Sequence, residues 1–113
     1  MNRGEVWWAR RPPPPSRTDK AHMVLLLSWD SSYGFRDRVT VAPITSHIRG
    51  LDAEVQIDHN DGFVKACVVN LDVIATIPRG DLTERVAQLG DSRIAEVERA
   101  IHRALGMRLP CPL

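Results

Sequence analysis

Short apolar runs separated by turn-forming residues occupy most of the chain and indicate β-strands. Some runs are continuously apolar, as in strands buried on both faces, whereas others alternate apolar and polar residues, as in half-exposed strands. This pattern predicts five or six strands, over residues 5–10, 23–28, 38–44, 53–57, 66–77 and 85–89. Because Pro43 has no amide hydrogen, we expect the third strand to end or bulge there.

The last regular element has the pattern of an amphipathic helix. Its apolar residues recur at helical spacing, at Ile94, Val97, Ala100, Ile101, Ala104 and Leu105. Asp91 or Ser92 is placed to cap its start and Gly106 to end it, and residues 107–113 are expected to fray. Together the elements predict a mainly β, α+β fold in one domain over residues 1–113, a small antiparallel barrel or half-barrel closed by a C-terminal helix.

The composition is that of one globular domain, with 113 residues of which 43% are hydrophobic and 26% charged. No apolar run approaches the roughly 20 residues that span a bilayer, and no signal-peptide core follows Met1. We therefore expect a soluble, cytoplasmic protein without a membrane partner. The four histidines are scattered, and Cys67 and Cys111 lack metal-type spacing, so we expect no metal and no other cofactor.

The net charge of +1 conceals an uneven distribution. Residues 1–50 carry eight Lys and Arg against four Asp and Glu, whereas residues 51–113 carry seven against ten. The excess of arginine over lysine suits phosphate binding, but a GC-rich genome would produce it equally well. The available chemistry rests on Arg, His, Thr, Ser and backbone groups. These groups suffice for metal-free RNA cleavage, in which the substrate's own 2′-hydroxyl attacks the adjacent phosphate.

Six segments carry a family pattern, in order along nearly the whole chain: RGEVWWA, MVLLLSWD, VTVAPITSH, LDAEVQI, ACVVNLDVIATIPRGDL and RVAQLGDSRIAEVERAIHRALGM. They resemble the strands and the closing helix of the MazF/PemK family, the toxin half of bacterial type II toxin–antitoxin pairs. The resemblance implies an SH3-like small barrel of the MazF/CcdB type with a C-terminal helix, and a homodimer. It also implies a sequence-selective endoribonuclease that cleaves single-stranded RNA, with messenger RNA the expected target, and that a cognate antitoxin inhibits.

The resemblance places a catalytic threonine, from the PIT motif, at Thr45. The family's catalytic arginine, which precedes the second strand, is replaced here by His22. Three interpretations are open. His22 substitutes for it, because an imidazole with an ordinary pKa of about 6.5 is a competent acid or base, and Arg17 supplies the missing charge. Alternatively the register of the loop differs, or the chain is a degenerate module that only binds an antitoxin or, like CcdB, gyrase.

A basic, proline-rich loop after the first predicted strand is the expected RNA-binding element. The resemblance equates this loop with the inter-strand loop of the family that contacts RNA and antitoxin. Its cations would bind phosphates in a salt-sensitive manner. They are Arg10, Arg11, Arg17 and Lys20. Ser46 and His47, directly after Thr45, are weaker candidates for substrate contact.

Four aromatic residues are candidates for stacking on RNA bases, namely Trp7, Trp8, Trp29 and Tyr33. Neighbouring side chains on a strand point to opposite faces. We therefore expect one ring of the Trp7–Trp8 pair in the core and the other at the surface or at a dimer interface.

Overall fold

The computed structural model of the protein describes residues 1–10, 21–30 and 33–107, which form seven strands and one α-helix. The strands are β1 (Glu5–Ala9), β2 (His22–Leu26), β3 (Arg38–Thr45), β4 (Glu54–Ile57), β5 (Cys67–Asn70), β6 (Ala75–Pro78) and β7 (Leu82–Gln88), and the helix is α1 (Asp91–Leu105). All pairs are antiparallel, in the order β4-β5-β3-β2-β1-β7, with β6 also on β3. The predicted mainly β fold with a C-terminal helix is confirmed.

Five strands, β7, β1, β2, β3 and β6, enclose the first of two hydrophobic clusters. Every one of these strands contributes to it, so the sheet curves around this cluster as a small barrel. Burial of each such aliphatic side chain stabilises the fold by about 1.5–3 kcal/mol. The members of this inner cluster are Ala9, Val24, Leu26, Tyr33, Val39, Val41, Ile77 and Leu82.

The second cluster, the outer cluster, lies on the opposite face of the same strands. Leu25 of β2 and Ala42 and Ile44 of β3 point away from the inner cluster, and α1, β4 and β5 cover them. Both faces of β2 are therefore buried. This is why its sequence is continuously apolar instead of alternating.

β3 changes its pairing partner at Pro43. Residues 38–41 pair with β6, whereas Ile44 and Thr45 pair with β5. Pro43 lies between the two partners, where its missing amide hydrogen interrupts neither ladder, and it stands in register with Val24 of β2. The expectation that the strand ends at this proline is wrong, because β3 continues to Thr45.

The apolar run 66–77, predicted as one strand, is divided into β5 and β6. The Asn70 side chain accepts a hydrogen bond from the Asp72 amide at 2.9 Å, and Leu71–Val73 form a 3-10 turn. Leu71 is buried within this turn, so the apolar pattern continues across the break and conceals it. The described residues hence contain seven strands where five or six were predicted.

α1 covers the outer cluster with the predicted face except at its last turn, where Leu105 is exposed. Gly90 is the N-cap and no side chain caps the start, so the prediction of Asp91 or Ser92 is wrong. Gly106 ends the helix in the left-handed conformation, as predicted.

Gly4 allows α1 to lie directly on the start of β1. Its φ is +91°, and a Cβ at this position would lie 2.6 Å from Cδ1 of Ile94 and 2.8 Å from Nε2 of Gln88. Glycine suits this position because its φ lies in the left-handed region and because a Cβ would force the Ile94 and Gln88 side chains to move.

Two segments discussed from the sequence lie outside the described residues. They are the loop at 11–20, which contains the four consecutive prolines, and the tail at 108–113. Along the described ranges, no helix combines the length and the apolar character needed to cross a membrane.

Candidate active site

His22 and Thr45 lie at the same end of the barrel wall, where both line one pocket. β2 and β3 pair with Val24 opposite Pro43. Continuing this register by two residues brings His22 opposite Thr45, and the Cβ atoms of directly opposed residues lie about 5 Å apart. Two residues predicted separately from the sequence thus meet where β2 begins and β3 ends.

A pocket of about 230 Å³ opens beside this pair of residues. Its walls come from four strands and one loop: Trp8 from β1, His22 from β2, Thr45 and Ser46 at the end of β3, Cys67 from β5 and Lys65 from the loop before β5. None of the described lining residues is an aspartate or a glutamate. The charge around the pocket therefore favours an anionic ligand.

The Thr45 side chain is held with its hydroxyl proton available. Its Oγ1 accepts a hydrogen bond from the His47 amide at 3.1 Å, a local turn common for threonine. Its backbone is fixed by pairing with Val68 of β5. Thr45 can consequently donate a hydrogen bond to a ligand in the pocket from a constrained position.

The remaining predicted polar residues divide into three groups. Ser46 lines the pocket, whereas the described contribution of His47 is its backbone amide. Arg10 is exposed directly after β1, its amide donates to the Asp81 carbonyl at 2.7 Å, and it does not line the pocket. Outside the described residues lie Arg11, Arg17 and Lys20.

The aromatic candidates also separate. Trp8 is 37% exposed and lines the pocket, while Trp7 packs against the inner cluster, which confirms one inward and one outward ring. Tyr33 is only 6% exposed, and this burial raises the pKa of its phenol to about 12. The expectation that Tyr33 can stack on a base is wrong, because no face of its ring is accessible.

Lys65 and Cys67 line the pocket although neither was predicted as a site residue. The local sequence around them shows only a short polar interval before an apolar run. Their placement depends on the pairing of β5 with the end of β3, which joins residues far apart in the chain. Cys67 is a free cysteine and is buried.

A larger groove, of about 920 Å³, lies at the other end of β2 and β3. Trp29 and Phe35 are 75% and 72% exposed there, and the Arg36 guanidinium lies 5.6 Å from the centre of the Phe35 ring. Thr40 and Thr76 form its floor, with 3.2 Å between their hydroxyl oxygens. No three His, Cys, Asp or Glu side chains of the described ranges come together as metal ligands would.

Comparison with known proteins assigns the family. Residues 2–105 match the family described as PemK-like, MazF-like toxin of type II toxin–antitoxin system. The chain belongs to the MazF/PemK toxin family. The match includes Trp8, His22, Thr45 and Lys65, all of which line the smaller pocket.

Individual MazF-family proteins agree with this assignment. Endoribonuclease MazF3 of Mycobacterium tuberculosis is 38% identical over 96 residues, which cover 85% of this chain and 89% of that protein. The solved M. tuberculosis toxin MazF-mt6 superposes with a TM-score of 0.77 at 35% identity, over 88% of this chain and 100% of that chain. A mycobacterial endoribonuclease solved in complex with its cognate antitoxin has the same fold, with a TM-score of 0.82 at 20% identity, over 97% and 99% of the two chains.

Proposed function

We propose that this MazF-family toxin is a metal-independent, sequence-selective endoribonuclease that cleaves single-stranded RNA through attack of a 2′-hydroxyl on the adjacent phosphate. The observation that carries the proposal is that His22 and Thr45 line one pocket, whose described lining residues include no carboxylate. The pocket thereby offers a proton acceptor, a hydrogen-bond donor and a charge environment suited to a phosphate. The activity named for MazF3, the relative at 38% identity, supports RNA as the substrate class.

His22 and Thr45 have separate roles in this reaction. His22 takes the proton of the 2′-hydroxyl as its oxygen forms a bond to phosphorus. The Thr45 hydroxyl donates a hydrogen bond to a non-bridging oxygen, on which negative charge increases in the phosphorane. The bond from phosphorus to the 5′-oxygen then breaks, and the 5′-oxygen receives a proton. The products are a 2′,3′-cyclic phosphate and a 5′-hydroxyl.

The RNA strand is held by groups around the reacting phosphate. Trp8 offers an exposed ring face for a base next to the scissile bond, and Ser46 offers a hydroxyl. The backbone phosphates flanking this position are bound by the cations of the loop after β1 and by the polar residue that follows Ser46. These residues are Arg10, Arg11, Arg17, Lys20 and His47.

A second copy of the chain and an antitoxin are the proposed protein partners, and the chain acts as one domain. A pocket of about 230 Å³ at the barrel end is too small to contain several nucleotides, which favours a groove completed across a homodimer. The relative solved with its cognate antitoxin supports a similar partner here. Mass measurement of the purified protein tests the dimer, and a monomer at micromolar concentration contradicts it.

The cleavage proposal is tested by incubating the purified protein with a long single-stranded RNA in EDTA and mapping the ends. We expect cuts at a short recurring sequence, with 2′,3′-cyclic phosphate and 5′-hydroxyl ends. Thr45→Ala should lower the single-turnover rate about 100-fold, the effect typical of removing one donor to a developing oxyanion. Thr40→Ala is the matched control, because Thr40 lies on the same strand at the opposite end.

Two results would contradict the proposal. Equal rates for Thr45→Ala and the wild-type chain overturn the assignment of the pocket. Absence of RNA cleavage by the wild-type protein, with the fold intact, overturns the endoribonuclease function and leaves a protein-binding module.

A further inference from the structure

We propose that Lys65 is the permanent cation of the active site and stabilises the negative charge that the scissile phosphate gains during cleavage. This inference rests on the proposed endoribonuclease function. It assigns the role of charge stabilisation to a residue that the sequence does not single out, and it makes Lys65 a catalytic residue in contact with the substrate phosphate.

The chemistry of the pocket requires such a group. A phosphorane carries more negative charge than the phosphate from which it forms, and a cation that remains protonated throughout stabilises it best. His22 cannot fill this role while it accepts the 2′-proton, because a base must be neutral before it acts. Lys65 is the only lysine or arginine among the described residues lining the pocket that contains His22 and Thr45.

Residues 63–67 form a short arch that holds Lys65 at the pocket. Phe63 and Cys67 are 6% and 4% exposed and belong to the outer hydrophobic cluster, while the three residues between them are exposed. The Cys67 thiol donates to the Lys65 carbonyl at 3.5 Å. Two buried anchors thus confine the backbone of Lys65 and leave its ammonium group free to follow a phosphate.

The base of the arch is fixed as well. Asp58 and Asp61 form a capping box around a short 3-10 turn, and Gly62 follows it in the left-handed conformation. Arg93 of α1 donates from Nε to Asp61 at 3.2 Å. The arch is therefore tied to the helix, and the position of Lys65 beside β3 follows from the fold instead of from a mobile loop.

The test uses the full-length protein in four forms: wild type, Lys65→Gln, Lys65→Arg and Arg99→Gln. Arg99 is an exposed residue of α1, so Arg99→Gln changes the net charge equally without touching the pocket. The single-turnover rate is measured at saturating protein. Affinity is measured separately with the same RNA carrying 2′-O-methyl groups, which lack the nucleophile.

We expect Lys65→Gln to lower the rate about 30-fold while weakening binding of the methylated RNA about threefold, because the charge to be stabilised grows after binding. Lys65→Arg should retain at least one third of the wild-type rate, and Arg99→Gln should be within twofold. Thermal unfolding midpoints verify that each variant is folded.

The outcomes separate the two proposals. Cleavage by the wild-type chain with an unchanged rate for Lys65→Gln overturns the role of Lys65 and leaves the endoribonuclease function standing. A Lys65→Arg rate as low as that of Lys65→Gln also contradicts a role based on charge. Absence of cleavage by the wild-type chain overturns both.

Discussion

The two ends of the β2–β3 pair differ in size and in chemistry. The end at His22 and Thr45 has a pocket of about 230 Å³, whereas the end at Trp29 and Arg38 has a groove of about 920 Å³. The groove presents two widely exposed aromatic rings and two arginines, together with Asp37. The pocket presents an imidazole, a constrained hydroxyl and an ammonium group.

Under the proposed function, the smaller cavity is the reactive site although the groove is larger. Cleavage of RNA without a metal is promoted by a general base, and no histidine is found among the described lining residues of the groove. The Thr40 and Thr76 hydroxyls of the groove contact each other, whereas Thr45 keeps its proton for a ligand. The smaller cavity therefore has the better chemistry for cleavage.

Among the variants that test this comparison, His22→Gln should have the largest effect on the cleavage rate. Loss of a general base should lower the cleavage rate about 100-fold or more. Single-turnover rates of the wild-type chain and the variant at one pH measure this effect.

His59→Gln is the matched control for His22→Gln, because His59 is exposed in the turn at His59–Asp61, away from the pocket. A rate for His22→Gln within threefold of this control would remove His22 from the reaction.

A smaller effect, on stability alone, is expected for Glu5→Gln. Burial raises the pKa of Glu5, but hydrogen bonds from the Trp7 indole, the Asn2 amide and Arg85 outweigh it, so the pKa lies below its ordinary value. A lowered folded-state pKa means that stability is present above the unfolded pKa of about 4.3 and is lost as pH falls through the folded value.

We therefore expect Glu5→Gln to lower the free energy of unfolding by about 2 kcal/mol at pH 7 and by less as the pH falls below 4. Urea unfolding of both proteins at pH 7 and at one pH below 4 measures this change in the free energy of unfolding. Glu5 is not among the residues that line the pocket, so folded Glu5→Gln should keep its cleavage rate. A destabilisation that is the same at both pH values would contradict the role of the carboxylate.

The smallest effect compares the two exposed tryptophans. Trp8→Leu should weaken binding of 2′-O-methylated RNA about fivefold, near the lower end of the value for one base–aromatic stack. Trp29→Leu should leave both affinity and cleavage rate within twofold. Titration by fluorescence anisotropy distinguishes the two, and a greater loss for Trp29→Leu would place the groove within the RNA path.

Local sequence patterns predicted the elements of the fold well, and their limits have physical causes. α1 was visible from its periodicity, and both buried faces of β2 from its unbroken apolar run. The break at Asn70 was hidden, because Leu71 keeps the apolar pattern inside the turn. Pro43 was misread, because only the exchange of β6 for β5 makes its missing amide hydrogen harmless.

The candidate site was predictable to a smaller extent. His22 and Thr45 lie at strand ends, and the family resemblance identified them. Lys65 was not predictable, since its place depends on the β3–β5 pairing and on the anchors at Phe63 and Cys67. Tyr33 was misjudged because exposure of an aromatic ring depends on tertiary packing.

The pairing of β1 with β7 has a consequence for folding kinetics. It places Glu5 opposite Gln88, far along the chain. Contacts between such distant residues raise the contact order, and barrels of this type fold in milliseconds to seconds. The wall that bears Trp8 is thus completed only once β7 has left the ribosome, and a nascent toxin lacks this wall until then.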